Sequence, residues 1–162
     1  MSFHIAPNPH ATLSSSVDQT IADPAAAQVV TFDTTTNANG ITLVANTKIT
    51  LPQVGNYMFA VSAVAAATGA ANAKQVSMWF RKNGSDVANS NTYLSVSKDV
   101  PTVIAVSFDL PCTAVGDYYE VWWSGETTSV KLDAVAAVTG SVGFPPNQPA
   151  SPSIVVAVSQ IG

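Results

Sequence analysis

Residues 51–64 read LPQVGNYMFAVSAV, and this stretch decides the fold class. It opens with a turn cluster from Pro52 to Asn56, because Pro and Gly supply the backbone angles that turns require. Residues 57–64 that follow are apolar on nearly both faces, which is typical of a strand in the centre of a sheet. We therefore predict a central strand here.

The same alternation of short apolar runs and turn signals extends from Val17 to the C terminus. Its spacing predicts an all-β sandwich of about nine or ten strands, with no helix and no internal repeat. Strands are predicted at residues 28–33, 41–44, 48–51, 57–64, 74–82, 93–96, 103–110, 117–124, 129–138 and 153–161. The segments 34–40, 65–73 and 140–152 are predicted to connect them, because they are rich in turn residues or interrupted by glycine.

The sequence makes two more specific predictions, one about a turn and one about which face of a strand is buried. The pair Asn83-Gly84 directly follows the strand predicted at 74–82, and it predicts a tight hairpin, because a type I′ turn needs positive φ at both central residues. In the strand 103–110, the residues at even positions are large and apolar, so they are expected to face the core: Ile104, Val106, Phe108 and Leu110.

The composition bounds what the chain can bind. Its 162 residues fit one compact domain, and hydrophobic residues make up 47% of them, which excludes disorder. Only 10% are charged, the net charge is −4, and there are six Lys and Arg, so nucleic acid is not an expected partner. So sparse a surface charge suggests that other subunits cover much of the surface. Cys112 stands alone and is expected to be a small buried apolar residue.

The N terminus is predicted to be an extended arm over residues 1–16, followed by a single domain over residues 17–162. The arm is rich in Pro, Asn, Ser and Thr, has no periodicity, and lacks the features of a secretory signal. No apolar run is long enough for a membrane helix, so no membrane partner is expected. The candidate docking residues of the arm are Phe3, His4, Ile5 and His10.

The strand 117–124 is aromatic on both faces. Tyr119, Val121 and Trp123 alternate with Tyr118, Glu120 and Trp122. A two-layer sandwich gives each strand one core face, so aromatic residues on the second face suggest contact with another subunit. The candidate residues for a trimer interface are therefore Tyr118, Glu120 and Trp122.

Four motifs occur in an order that resembles the C1q/TNF-like jelly-roll superfamily. They are an apolar run ending in Phe-Asp at 29–33, the Pro-x-x-Gly-x-Tyr-x-Phe pattern within 51–59, the basic Asn-Gly hairpin at 80–84, and the Gly-Asp strand at 115–121. The resemblance implies a two-sheet antiparallel jelly-roll sandwich that assembles as a homotrimer. The last strand departs from the pattern, because residues 153–158 lack the usual Phe-x-Gly.

The sequences WFRKNG at 79–84 and DYYEVWWS at 117–124 look most similar to C1q-like domains of tailed-bacteriophage virions. That resemblance implies a capsid decoration (cement) protein, made in the host cytoplasm and bound to the major capsid protein on the capsid exterior. The alternative is the tip of a head or tail fibre that recognises a host surface glycan or protein.

Residues for catalysis, metal binding or cofactor binding do not stand out, so we expect neither an enzyme nor a cofactor. His4 and His10 lie in the predicted arm, where nothing holds them against a nucleophile. Asp117 is expected to anchor the turn before its strand, and it points away from Glu120. The residues Trp79, Trp122 and Trp123 are expected in the core or an interface, with a carbohydrate-stacking platform as the alternative.

Overall fold

The computed structural model describes residues 8–69, 72–98, 100–139 and 148–162, and the elements within these ranges are all strands. The predicted all-β class is therefore confirmed. The strands are β1 (His10–Ser15), β2 (Gln19–Thr20), β3 (Gln28–Val29), β4 (Thr34–Asn39), β5 (Thr42–Val44), β6 (Lys48–Thr50), β7 (Gly55–Ala67), β8 (Lys74–Lys82), β9 (Ser85–Asp86), β10 (Thr92–Val96), β11 (Thr102–Cys112), β12 (Tyr118–Gly125), β13 (Val130–Leu132) and β14 (Ile154–Gln160).

The strands form two antiparallel sheets of seven strands each. The first sheet has the order β2-β13-β7-β14-β1-β4, and β11 pairs with β7 along its length. The second sheet has the order β10-β8-β12-β6-β5, with β3 against β12 and β9 against β8. The predicted central strand is confirmed as β7, which pairs with β11, β13 and β14.

The core lies between the two sheets and is centred on aromatic rings. Phe59 of the first sheet contacts Phe80 and Tyr119 of the second, with ring centroids 5.3 and 5.1 Å apart. Phe108 reaches Phe80 at 5.5 Å. The predicted inward face of β11 is confirmed, since its even-numbered residues pack into this core. Each contact joins one sheet to the other, as a sandwich core requires.

The predicted N-terminal arm is wrong for residues 10–15. These residues form β1, which lies between β14 and β4, and its buried side chains include Leu13 at 0% exposure and Ser15 at 1%. The side chains alternate between half-buried and buried along the strand, so it has the period of two that a sheet requires. Their small, mostly polar character concealed that pattern. The arm candidates Phe3, His4 and Ile5 lie outside the described residues.

Two predicted connections also belong to strands. Residues 34–39 form β4, an exposed edge strand whose threonines suit a pleated surface. Residues 65–67 extend β7, because pairing with β13 overrides the weak β-propensity of alanine. In the third predicted connection, 140–152, residues 140–147 lie outside the described part of the chain.

The predicted Asn83-Gly84 hairpin is confirmed. The two residues have φ of 49° and 85°, and Lys82 pairs with Ser85 across them. Gly55, at the start of β7, is also required by geometry: its φ is 148°, and a Cβ atom there would lie 2.3 Å from the carbonyl oxygen of Gly162. Both positions therefore need residues that tolerate positive φ.

Candidate functional site

The outer face of the second sheet presents the aromatic and charged residues that the sequence singled out. Strand pairing places Trp79 of β8 opposite Trp122 of β12, and Arg81 opposite Glu120. Their neighbours in each strand are buried, with Trp123 only 1% exposed. The three tryptophans that the sequence singled out therefore lie in two places. Trp123 is a core residue, whereas Trp79 and Trp122 lie on the outer face of the second sheet.

The predicted interface residues already have partners within the chain. Glu120 is 8% exposed, and its carboxylate accepts hydrogen bonds from Thr47 Oγ1 at 3.1 Å and from Trp122 Nε1 at 3.3 Å. The guanidinium carbon of Arg81 lies 3.7 Å from the centroid of the Trp122 ring. Contact of these residues with another subunit stays a prediction.

Tyr118, the third predicted interface residue, lies nearer the end of β12. Lys48 Nζ lies 4.7 Å from the centroid of its ring, within range of a cation–π interaction. Its backbone N–H donates to Asn83 Oδ1 at 2.9 Å, so it is also tied to the hairpin. A second subunit that covered Tyr118 would have to displace or accommodate Lys48.

Trp79 is held by the short hairpin strand β9. Its indole Nε1–H donates to Asp86 Oδ1 at 2.8 Å, and Arg81 Nε donates to the same oxygen at 2.6 Å. The hydrogen bond from Arg81 lowers the pKa of Asp86 below its ordinary value, and the hydrogen bond from Trp79 lowers it further. Asp86 is therefore ionised at neutral pH while its side chain remains 63% exposed.

A shallow, open cavity of about 370 Å³ lies beside Trp79, and its volume is within the usual range of small-ligand pockets. Its lining combines Trp79 and Val87 with polar side chains from β8, β9, β12 and the segment after β9: Ser77, Asp86, Asn89, Asn91 and Ser124. Sequence analysis identified Trp79 but missed the others. Asn89, with φ of 62°, follows the hairpin in a loop whose path cannot be deduced from local pattern.

Asp117 anchors its turn, as predicted, and it also joins two motifs. Its carboxylate accepts hydrogen bonds from the backbone N–H groups of Thr113 and Ala114, from Asn83 Nδ2 at 2.8 Å, and from Lys82 Nζ at 2.9 Å. Burial alone would raise the pKa of Asp117, but these hydrogen bonds lower it well below its ordinary value. The basic hairpin and the Gly-Asp turn therefore form one structural unit.

The outer face of the first sheet has the opposite character. A shallow depression of about 460 Å³ lies over β7, β11 and β14. The residues that line it are small and uncharged, and they include Ala60, Ser62, Ala105, Ser107, Val155 and Ala157. Interface cores are depleted of charged residues in the same way. Val103, also on β11, is 55% exposed.

The remaining candidates offer little chemistry. The His10 ring nitrogen Nδ1 lies 2.8 Å from the carbonyl oxygen of Asn8, at the start of β1. Cys112 is buried, as predicted, and burial raises the pKa of its thiol. Within the described ranges, no group of three His, Cys, Asp or Glu side chains could hold a metal ion. The same residues include no helix long and apolar enough to cross a membrane.

Comparison with known proteins supports the fold. No protein-family model matches the chain, and no curated protein does either. The solved structure of Eiger TNF from S. frugiperda is similar, with a TM-score of 0.55, 11% sequence identity, and coverage of 97% of this chain and 94% of that chain. The chain therefore has a TNF-like jelly-roll fold. Fold similarity at this identity leaves function open.

Proposed function

We propose that the chain is a non-enzymatic, homotrimeric protein of a bacteriophage virion that decorates the capsid exterior and stabilises the major capsid protein lattice. The observation that carries the self-association is the uncharged depression over β7, β11 and β14 on the outer face of the first sheet. Further support comes from the fold, which is typically non-enzymatic, and from the resemblance of 79–84 and 117–124 to phage virion domains.

The first sheet is a better surface for self-association than the outer face of β12. Covering small, uncharged side chains such as Ala105 and Ala157 requires no existing ion pair or hydrogen bond to be broken. At β12, by contrast, Glu120 and Trp122 are already engaged by Thr47 and Arg81. We therefore place the trimer contact on the first sheet, with Tyr118, Glu120 and Trp122 as the competing assignment.

Decoration would stabilise the capsid by mass action. A protein that binds the assembled lattice but not free capsid subunits shifts the assembly equilibrium toward the lattice. A trimer matches positions of local threefold symmetry, where three capsid subunits present equivalent contacts. The outer face of the second sheet would then remain accessible on the capsid exterior.

The capsid role is tested by cosedimentation. Purified protein is mixed with heads of the encoding virus that lack it, and separately with host cells. We expect binding to heads, and heads that resist heat or chelator better after binding. Binding to cells but not to heads would contradict the decoration role and support the alternative.

That alternative is a receptor-binding fibre tip, and one observation favours it. The Trp79 cavity lies on the outer face of the second sheet, which the proposed trimer contact leaves uncovered. A fibre tip predicts that the purified protein binds host cells and blocks infection. A cement protein predicts neither result.

A further inference from the structure

We infer that the cavity beside Trp79 binds a neutral saccharide. The inference is independent of the capsid role, because it concerns a different face of the molecule from the proposed trimer contact. The site is defined by the partly buried indole of Trp79, the apolar side chain of Val87, the carboxylate of Asp86, and the side chains of Ser77, Asn89, Asn91 and Ser124.

The polar groups around the indole are free to bind a ligand. In the part of the chain that the structure describes, the side chains of Ser77, Asn89, Asn91 and Ser124 make no hydrogen bond to another residue. Hydroxyl and amide groups both donate and accept hydrogen bonds, and so do sugar hydroxyls. A ring with several hydroxyls is therefore a closer match to this lining than an apolar side chain.

Trp79 supplies the stacking surface that a sugar ring requires. The face of an indole carries negative potential, which attracts the polarised C–H groups of a pyranose. The hydrogen bond to Asp86 fixes the orientation of the indole without covering its face. Trp122 cannot serve in the same way, because the Arg81 guanidinium lies 3.7 Å from its ring centroid.

Charge selects a neutral ligand over an acidic one. Asp86 is the one charged side chain among the described residues that line the cavity, and it is ionised at neutral pH. Arg81, the nearest cation, is already bound to Asp86 at 2.6 Å. A sialylated or sulfated sugar would therefore face an anion with no free cation to offset the repulsion.

The test uses an array that carries neutral oligosaccharides of glucose, galactose, mannose and N-acetylglucosamine beside sialylated and sulfated glycans. We expect the full chain to bind a subset of the neutral glycans. Trp79→Ala should weaken that binding about tenfold or more, as loss of a central aromatic contact does in other interfaces. The free oligosaccharide should compete in solution, which distinguishes the sugar from its attachment to a surface.

Matched variants separate the site from the fold. Asn91→Ala changes an exposed cavity residue, and Asn72→Ala changes an exposed asparagine that does not line the cavity. Trp122→Phe keeps a ring beneath Arg81. We expect only the first of these three to weaken binding, with mass unchanged in all. The melting temperature should be unchanged in the two asparagine variants and lower in Trp122→Phe, which loses the Nε1–H donated to Glu120. If Trp79→Ala fails to fold, Asn91→Ala carries the test.

Three results would overturn the inference: no neutral glycan bound, only acidic glycans bound, or binding equal in wild type, Trp79→Ala and Asn91→Ala. None of them bears on the capsid role, because trimer mass and binding to heads are measured separately on the same samples.

Discussion

Asp117 shows how one residue joins two sequence motifs. The turn before β12 and the Asn83-Gly84 hairpin are each predictable from local residue types, because each depends on a local backbone conformation. The hydrogen bonds from Lys82 and Asn83 to the Asp117 carboxylate were not predictable, since they join segments that meet only in the folded sheet. Removing the charge of this buried carboxylate would leave Lys82 without its anionic partner and would weaken the hydrogen bonds that converge on Asp117, which is costly.

Asp117→Asn should lower the free energy of unfolding by about 3 kcal/mol at neutral pH. Because the native pKa of Asp117 is lowered, its contribution is complete above the carboxyl pKa of the unfolded chain, about 4, and is lost as pH falls below that value. The stability difference between wild type and variant should therefore shrink below pH of about 4. Urea unfolding across pH measures this difference.

The control for that experiment is Asp23→Asn, which changes an exposed carboxylate in the segment between β2 and β3. It should alter stability by less than about 0.5 kcal/mol, as surface substitutions usually do. An Asp117→Asn deficit that stays constant down to pH 2 would refute the role of the ionised carboxylate.

At the scale of elements, β1 most changes the sequence-based interpretation. It is an interior strand of the first sheet, with Ala11 paired to Val158 of β14 and Leu13 paired to Thr35 of β4. The segment that was expected to dock on another protein therefore supports this chain's own sandwich. One of its two neighbouring strands, β14, lies at the far end of the chain, so no local sequence pattern could identify this pairing.

Deleting residues 2–14 should abolish folding, because the deletion removes most of β1. Truncation of one buried Leu costs about 2–5 kcal/mol, and the loss of β1 would also leave the edges of β4 and β14 unpaired, against a total stability of about 5–15 kcal/mol. Deleting residues 2–7 spares every described strand and should retain the wild-type melting curve. Circular dichroism on both deletions checks this, and a cooperative wild-type transition without residues 2–14 would contradict it.

At the scale of the whole molecule, the two sheets present different outer faces. The side chains that line the depression over β7, β11 and β14 are small and uncharged, whereas the outer face of the second sheet carries aromatic and polar side chains around the Trp79 cavity. Because only 10% of the residues are charged, electrostatic repulsion between copies of the chain is weak. We therefore expect the first face to be buried in the assembly and the second to meet a ligand.

Light scattering should give a mass of about 50 kDa, three times the 16.7 kDa of one chain. Ala105→Arg should yield monomers, because it places a charge in each subunit at an uncharged contact. Trp122→Asp should leave the trimer intact. The reverse outcome would favour Tyr118, Glu120 and Trp122 as the interface, and a monomeric wild type would reject both assignments.

The sequence by itself determined the all-β class, the central strand at β7, the inward face of β11 and the Asn83-Gly84 turn. Each of these depends on a period of two or on a local φ requirement, so neighbouring residues contain the information. Only the tertiary structure decided that β1 is an interior strand, that Asp117 joins two turns, and that Asp86, Asn89 and Asn91 surround Trp79. Those features arise from hydrogen-bonded pairing and packing between segments distant in sequence, which local pattern does not encode.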